Sequence, residues 1–150
     1  MEERTDLVRT PMFPLYSGVR NMLTILDGVP KSLVASMIQR IDNQTGTPQN
    51  PVDWSEPDVW IPDRLTGEEA ALAARIWTQS EHATNPRHIY GSYLFINNEK
   101  LLVPDAARIY RLNDRGQAFL REDPLLLREL DEREGMLELL RILAPKSRVM

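Results

Sequence analysis

The sequence predicts a mainly α-helical fold that carries one small β-hairpin, and two observations lead to it. Residues 101–103 and 109–112 are short runs rich in β-branched, aromatic and leucine side chains, and the turn-forming segment 104–107 connects them. Asn113 follows at once, and its side-chain oxygen can cap an amphipathic helix over residues 113–121. A hairpin whose second strand runs directly into a capped helix is how a winged-helix domain ends. The predicted fold class is therefore a winged helix-turn-helix with an inserted loop and an extra helix.

Two helices are expected at the start of this fold. The first covers residues 14–26 and ends at Asp27-Gly28; its buried side would consist of Leu15, Val19, Leu23 and Leu26. Pro30 opens the second, which runs to about residue 41; its apolar stripe would consist of Leu33, Val34, Met37 and Ile41. Two helices joined by a short glycine-containing turn indicate a helix-turn-helix, although helical hairpins in bundles show the same pattern.

The helical signals disappear over residues 42–65, which hold four prolines and predict a long loop. Trp54 and Trp60 lie in this loop, and two exposed indoles would be costly. We therefore expect the loop to pack on the core, with contact to a partner or ligand as the alternative. Thr66 and Glu69 then have the spacing of a capping box, which predicts an extra helix to about residue 79.

The segment before the hairpin is the expected recognition helix, over residues 86–98. Asn85 can cap it, and Pro86 would occupy the first helical position, where a missing N–H costs nothing. Helical spacing then places Ile89, Tyr93 and Ile96 on one face. A strand over residues 93–96 is the alternative, and the cap and proline favour the helix.

Basic residues concentrate around the hairpin, although the chain is acidic overall. The net charge is −4, whereas free-standing DNA-binding proteins are usually basic. Residues 87–121 nevertheless hold six basic side chains against three acidic ones. We predict double-stranded DNA as the partner. The expected contacts to base edges are Arg87, His88 and Ser92; the expected contacts to phosphates are Arg108 and Arg111 on the wing and Arg115 at the start of the next helix.

Few residues suit catalysis or metal binding. The chain has no cysteine, and His82 and His88 lack the i, i+4 spacing of a helical metal-binding pair. Gly-rich phosphate loops and Gly-x-Ser-x-Gly elbows are absent from the sequence. We therefore expect no cofactor, no metal and no catalytic residues here, so that nuclease activity would require a longer or multi-subunit enzyme. Without a signal-like start or a long apolar run, the prediction is a cytoplasmic protein that does not enter membranes.

The C-terminal part is predicted to be separate from the winged-helix domain. We assign residues 1–121 to that domain, with 42–79 as its insertion, and residues 122–150 to an acidic linker that opens at Pro124 and a last helix over 129–143. This last helix is the candidate dimer contact, which leaves a homodimer open. A protein-interaction module and a ligand-responsive transcription regulator are the alternative functions.

The order of elements and the motif Tyr110-Arg111-Leu112-Asn113-Asp114-Arg115-Gly116 resemble the N-terminal winged-helix domain of Mrr-type restriction endonucleases. The resemblance covers roughly residues 14–121, and more loosely 122–143. Asn113 stands where threonine is usual in that family, and the 42–79 insertion is larger than the family pattern. In the family, the nuclease domain is separate and C-terminal. The resemblance therefore implies a DNA-targeting module of a restriction or defence system, which acts with a nuclease domain or subunit.

Overall fold

A computed structural model describes residues 15–133 of the 150-residue chain. The elements in this part are α1 (Tyr16–Leu26), α2 (Lys31–Asp42), α3 (Pro57–Arg64), α4 (Gly67–Gln79), a 3-10 turn (Pro86–His88), α5 (Tyr90–Asn98), β1 (Leu102–Pro104), β2 (Tyr110–Leu112) and α6 (Asp114–Leu120). Helix α7 begins at residue 124 and is described as far as residue 133. The prediction of a mainly helical fold with one small hairpin is confirmed. Over the same residues, no helix has both the length and the apolar character to cross a membrane.

Helix α1 lies at the centre of the molecule, where it packs against α4, α5 and α6. Val19, Leu23 and Leu26 have no exposed surface, as the apolar spacing predicts. Leu15 is different, because its side chain is 78% exposed. It occupies the extended N-cap position just before the first helical turn, so it does not continue the buried stripe.

The turn between α1 and α2 joins the hairpin. Gly28 adopts a φ of +91°, and its N–H donates to the carbonyl of Tyr110 at 2.8 Å. Tyr110 N–H donates in return to Val29 O at 2.9 Å, and Pro30 forms a β-bridge with Ile109. Because Pro30 is also the N-cap of α2, this turn fixes the start of α2 beside the hairpin.

The hairpin is antiparallel, and Val103 is paired with Arg111 at its centre. The Asp105 carboxylate closes the connecting turn by accepting hydrogen bonds from the N–H groups of Ala107 and Ile109 at 2.8 and 3.0 Å. Both strands begin one residue later than predicted. The expected helix cap is confirmed, because Asn113 Oδ1 accepts from Gly116 N–H at 2.7 Å.

The prediction that residues 42–65 lack helix is wrong, because α3 occupies residues 57–64. Pro57 stands in the first turn of α3, and Trp60 is only 2% exposed. The Trp60 indole N–H donates to Trp54 O at 3.0 Å. Burial of Trp60 and Ile61 stabilises a helix that local periodicity did not indicate. The expected packing of this segment on the core is confirmed.

Two further expectations are wrong. Thr66 makes no side-chain capping bond, and Glu69 instead accepts a hydrogen bond from Arg40 at 3.0 Å. Residues 124–128 are helical rather than a linker, because Leu126 and Leu130 of α7 are buried in the common core. The predicted helical residues 134–143, and Pro14 at the predicted start of α1, lie outside the described residues.

Candidate nucleic-acid interface

The segment before α5 begins with a 3-10 turn instead of the predicted continuous helix. Asn85 Oδ1 accepts from Arg87 N–H at 2.9 Å, so the expected cap forms on this turn. The Asn85 side-chain amide also donates to Trp54 O at 2.8 Å, which ties the turn to the 42–65 segment. Helix α5 starts only at Tyr90. Arg87 and His88 therefore belong to a turn and not to the helix that follows it.

Arg87 is already engaged within the chain. Its guanidinium lies 3.4 Å from the carboxylate of Asp42, the last residue of α2, and 5.3 Å from the centre of the Trp54 ring. His88 keeps more than a third of its surface exposed, yet the loss of solvent around its ring, together with the charge of Arg87, lowers its pKa below the usual 6.5. Its imidazole is therefore predominantly neutral at pH 7, where it can offer one donor and one acceptor.

Helix α5 presents little free polar surface. Ser92 is half-buried, and its hydroxyl lies close to Gly18 of α1. The Asn97 amide is held at both ends, because it donates to Tyr93 O at 2.7 Å and accepts from the Tyr110 hydroxyl at 2.9 Å. Burial raises the pKa of this Tyr110 hydroxyl, and Tyr93 adds to the effect. These bonds fix α5 to the hairpin.

Arg108 and Lys31 lie side by side where the hairpin turn meets the start of α2. The carbonyl of Arg108 accepts from the Lys31 backbone N–H at 3.0 Å, and the two residues line one groove of about 320 Å³ with Ser32, Ala35 and Asp105. Within the described part of the chain, no acidic side chain is paired with either cation. Arg108 also adopts a φ of +66°, a backbone conformation that favours glycine.

Arg111 lies on β2, and its side chain is 57% exposed. Its guanidinium donates to Asp105 at 3.0 Å. The backbone N–H of Ile109, together with Arg111, lowers the pKa of Asp105, so this carboxylate stays ionised well into the acidic range. Arg111 is thus partly neutralised but remains accessible.

Arg115 is placed away from these residues, in an ion-pair network that we call the Glu99 quartet. The quartet consists of Glu99, Arg115, Glu129 and Arg133. The Glu99 side chain is buried and accepts from Arg115 at 3.1 Å and from Arg133 at 2.6 Å. Glu129 accepts from the same two guanidinium groups at 2.9 and 3.0 Å. Arg115 therefore links the end of α5 to α7 through intramolecular ion pairs.

Four of the six predicted site residues thus form two groups near opposite ends of α2, whereas Ser92 and Arg115 belong to neither group. Arg108 lies beside Lys31 at the start of α2, and Arg111 is paired with Asp105 of the same groove. Arg87 and His88 lie beside Asp42 at the end of α2. A rise of 1.5 Å per residue separates these ends by about 17 Å. Sequence reasoning missed Lys31. The sequence signal that could have identified Lys31 is its position directly after Pro30, the residue that opens α2.

Across residues 15–133, no group of three or more His, Asp or Glu side chains is arranged to hold a metal ion. Comparison with known proteins gives no match to any protein-family model, any curated protein or any solved structure.

Proposed function

We propose that this chain is a winged-helix module that binds double-stranded DNA, with the hairpin as its wing. The arrangement of elements supports this assignment. A short extended segment at Pro30, just before α2, pairs with the hairpin at Ile109, and helices α5 and α6 flank the hairpin in the chain. Such a scaffold offers a helix for the major groove and a hairpin for the phosphate backbone.

The observation that carries the proposal is the pair of cations at the wing. Lys31 and Arg108 come from segments far apart in the sequence, yet they line one groove. Arg111, which is paired with Asp105 of the same groove, adds a third, partly neutralised cation nearby. Arginine and lysine side chains held next to each other on an exposed turn suit the closely spaced phosphates of a duplex. The net charge of −4 does not oppose this, because binding depends on the local field at the contact surface.

The backbone of Arg108 supports the same conclusion. An L-residue at a φ of +66° is less stable than glycine there by about 1 kcal/mol. Stability alone would therefore favour glycine at this turn, and the exposed Arg108 side chain is available for binding. The Mrr-type resemblance adds the biological role of a targeting module for a restriction nuclease domain or subunit. Catalysis would then reside outside the described residues.

The proposal is tested by fluorescence anisotropy of the chain with labelled duplex DNA over a series of salt concentrations. Arg108→Gly and Lys31→Ala should each weaken binding to all sequences and lower the log–log salt slope by about 0.9 per lost phosphate contact. Arg121→Ala is the matched control, because it removes an exposed positive charge from the far end of α6. This control should bind as the wild type does.

Arg108→Gly separates binding from folding. Glycine relieves the strained backbone, so this variant should be at least as stable as the wild type while it binds DNA less well. If both variants keep the salt slope of the wild type, the wing does not contact DNA phosphates. Absence of binding at low salt would refute DNA binding itself and direct attention to protein partners.

A further inference from the structure

We infer that helix α2, rather than α5, presents the side chains that read base edges in the major groove of bound DNA. This inference rests on the proposed DNA-binding function. It differs from the expectation that the segment before the hairpin reads the bases. Its basis is the exposed face of α2 and the cations at the two ends of that helix.

The central strip of the exposed side of α2 is polar and uncharged, and the exposed, ion-paired side chains of Arg40 and Asp42 border it. Val34, Met37 and Ile41 are buried on the opposite side. With 3.6 residues per turn, the outward positions follow each other along the helix and its cap. These exposed residues, which we call the α2 face, are Ser32, Ala35, Ser36, Gln39 and Asn43.

The chemistry of the α2 face suits base edges. Glutamine and asparagine amides can make paired hydrogen bonds to adenine, serine can bond to several bases, and an alanine methyl can contact thymine. The Gln39 amide donates to Asn43 Oδ1 at 2.9 Å, so two neighbouring amides are already aligned. Both residues are exposed, and an exposed hydrogen bond can be exchanged for one to a base at little cost.

The charges around α2 favour a polyanion along this helix. From Lys31 to Ile41, α2 contains no acidic residue. Asp42 at its end is paired with Arg87, and the neighbouring Glu69 is paired with Arg40. The cations at its two ends are about 17 Å apart, and the major groove is about 12 Å wide. Helix α2 is therefore long enough to cross the groove, with Lys31 and Arg108 at one rim and the Arg87–Asp42 ion pair at the other.

The other acid-free helices suit this role less well. On α5, the exposed residues are Tyr90 and Asn98, at opposite ends of the helix. The polar group of Asn97 between them is committed to Tyr93 and Tyr110, as described above. Helix α1 is flanked by acids from α7 and from the end of α6. Asp131 accepts a hydrogen bond from Tyr16, and Glu122 lies 3.9 Å from Arg20.

The test is selection of duplexes from a randomised pool by the purified chain, followed by anisotropy with the selected site at fixed salt. Gln39→Ala should lower affinity for the selected site by about 5- to 100-fold and relax the preference at one or two base pairs. Its salt slope and its binding to unrelated DNA should stay unchanged, since no phosphate contact is lost. Asn98→Ala and Ser92→Ala on α5 are the matched controls, and they should keep the wild-type preference. Because Gln39 is exposed, far-ultraviolet circular dichroism should show an unchanged fold.

Each other outcome is decisive. Loss of preference in the α5 variants, with Gln39→Ala behaving as wild type, would overturn the inference and leave DNA binding intact. Wild-type binding that selects no sequence would also overturn base reading by α2. Failure of the wild-type chain to bind any duplex would instead refute the proposed function, and this inference with it.

Discussion

The tightest packing between helix α6 and the hairpin occurs at Gly116, so Gly116→Ala should be strongly destabilising. A Cβ at this position would overlap the carbonyl oxygen of Leu101 and lie 2.6 Å from Leu112 Cδ1. The obstacle includes backbone, which cannot rotate away as a side-chain tip can. Helix α6 would have to retreat, and its cap from Asn113 to Gly116 would be lost.

The magnitude follows from three contributions. Overpacking against backbone costs about 3 kcal/mol, the upper end of the usual range. Loss of the asparagine cap adds about 1 kcal/mol. Because alanine has a better helix propensity than glycine, the substitution also stabilises the helix by about 1 kcal/mol. The expected loss in unfolding free energy is therefore about 3 kcal/mol, which corresponds to a Tm lower by about 6–12 °C for a chain of this size.

Urea unfolding followed by circular dichroism measures this loss, with Gly18→Ala as the matched control. Gly18 is also helical, but the nearest atom to its Cβ would be Ser92 Oγ at 3.9 Å, an ordinary contact. Gly18→Ala should therefore raise stability by about 0.5–1 kcal/mol. A neutral surface substitution usually changes the unfolding free energy by no more than about 0.5 kcal/mol. If Gly116→Ala changes it by no more than this, α6 does not approach Leu101 as closely as described.

Two further predictions concern the Glu99 quartet. Glu99→Gln removes a buried carboxylate from two guanidinium groups, and it should lower the unfolding free energy, measured in urea, by about 2 kcal/mol. The control Arg20→Ala removes only an exposed ion pair and should change that free energy by under about 0.5 kcal/mol. Equal effects of the two substitutions would mean that the quartet contributes no more than a surface pair. The hydrogen bond and charge of Arg115 lower the pKa of Glu129 from its usual 4.5. The ionised Glu129 carboxylate therefore gives its full stabilisation above pH 4.5, and this stabilisation is lost as the pH falls through the lower pKa of the folded state. Thermal unfolding between pH 3 and 5 should show stability rising with pH, and Glu129→Gln should flatten that rise; an unchanged slope would exclude this contribution.

Most helices could be predicted because their signals are local. The apolar spacing in α1 and α2 repeats every three to four residues, and a helix needs only such neighbours to define a buried face. The cap at Asn113 is equally local, since donor and acceptor are three residues apart. Helix α3 was missed because Pro57 and Pro62 resemble loop residues, and because burial of Trp60 stabilises it.

The roles of charged residues were harder to predict. Glu69 has the spacing of a capping box, but Arg40, 29 residues away in the chain, binds its carboxylate instead. Arg115 has the position of a phosphate contact, yet Glu99 and Glu129 hold its guanidinium. An exposed charge has many partners of similar energy, and the sequence does not state which of them the fold brings close.

By itself, the sequence determined the helices with clear periodicity, the hairpin, the Asn113 cap and the concentration of basic residues around the hairpin, because each depends on residues within a few positions of one another. The tertiary structure alone decided that Lys31 lies beside Arg108, that Arg87 lies at the other end of α2, and that Arg115 is paired with Glu99 and Glu129. It also left the polar face of α2 exposed and most of α5 covered. These outcomes depend on contacts between segments up to about 80 residues apart, and packing of the whole core, rather than local propensity, sets such contacts.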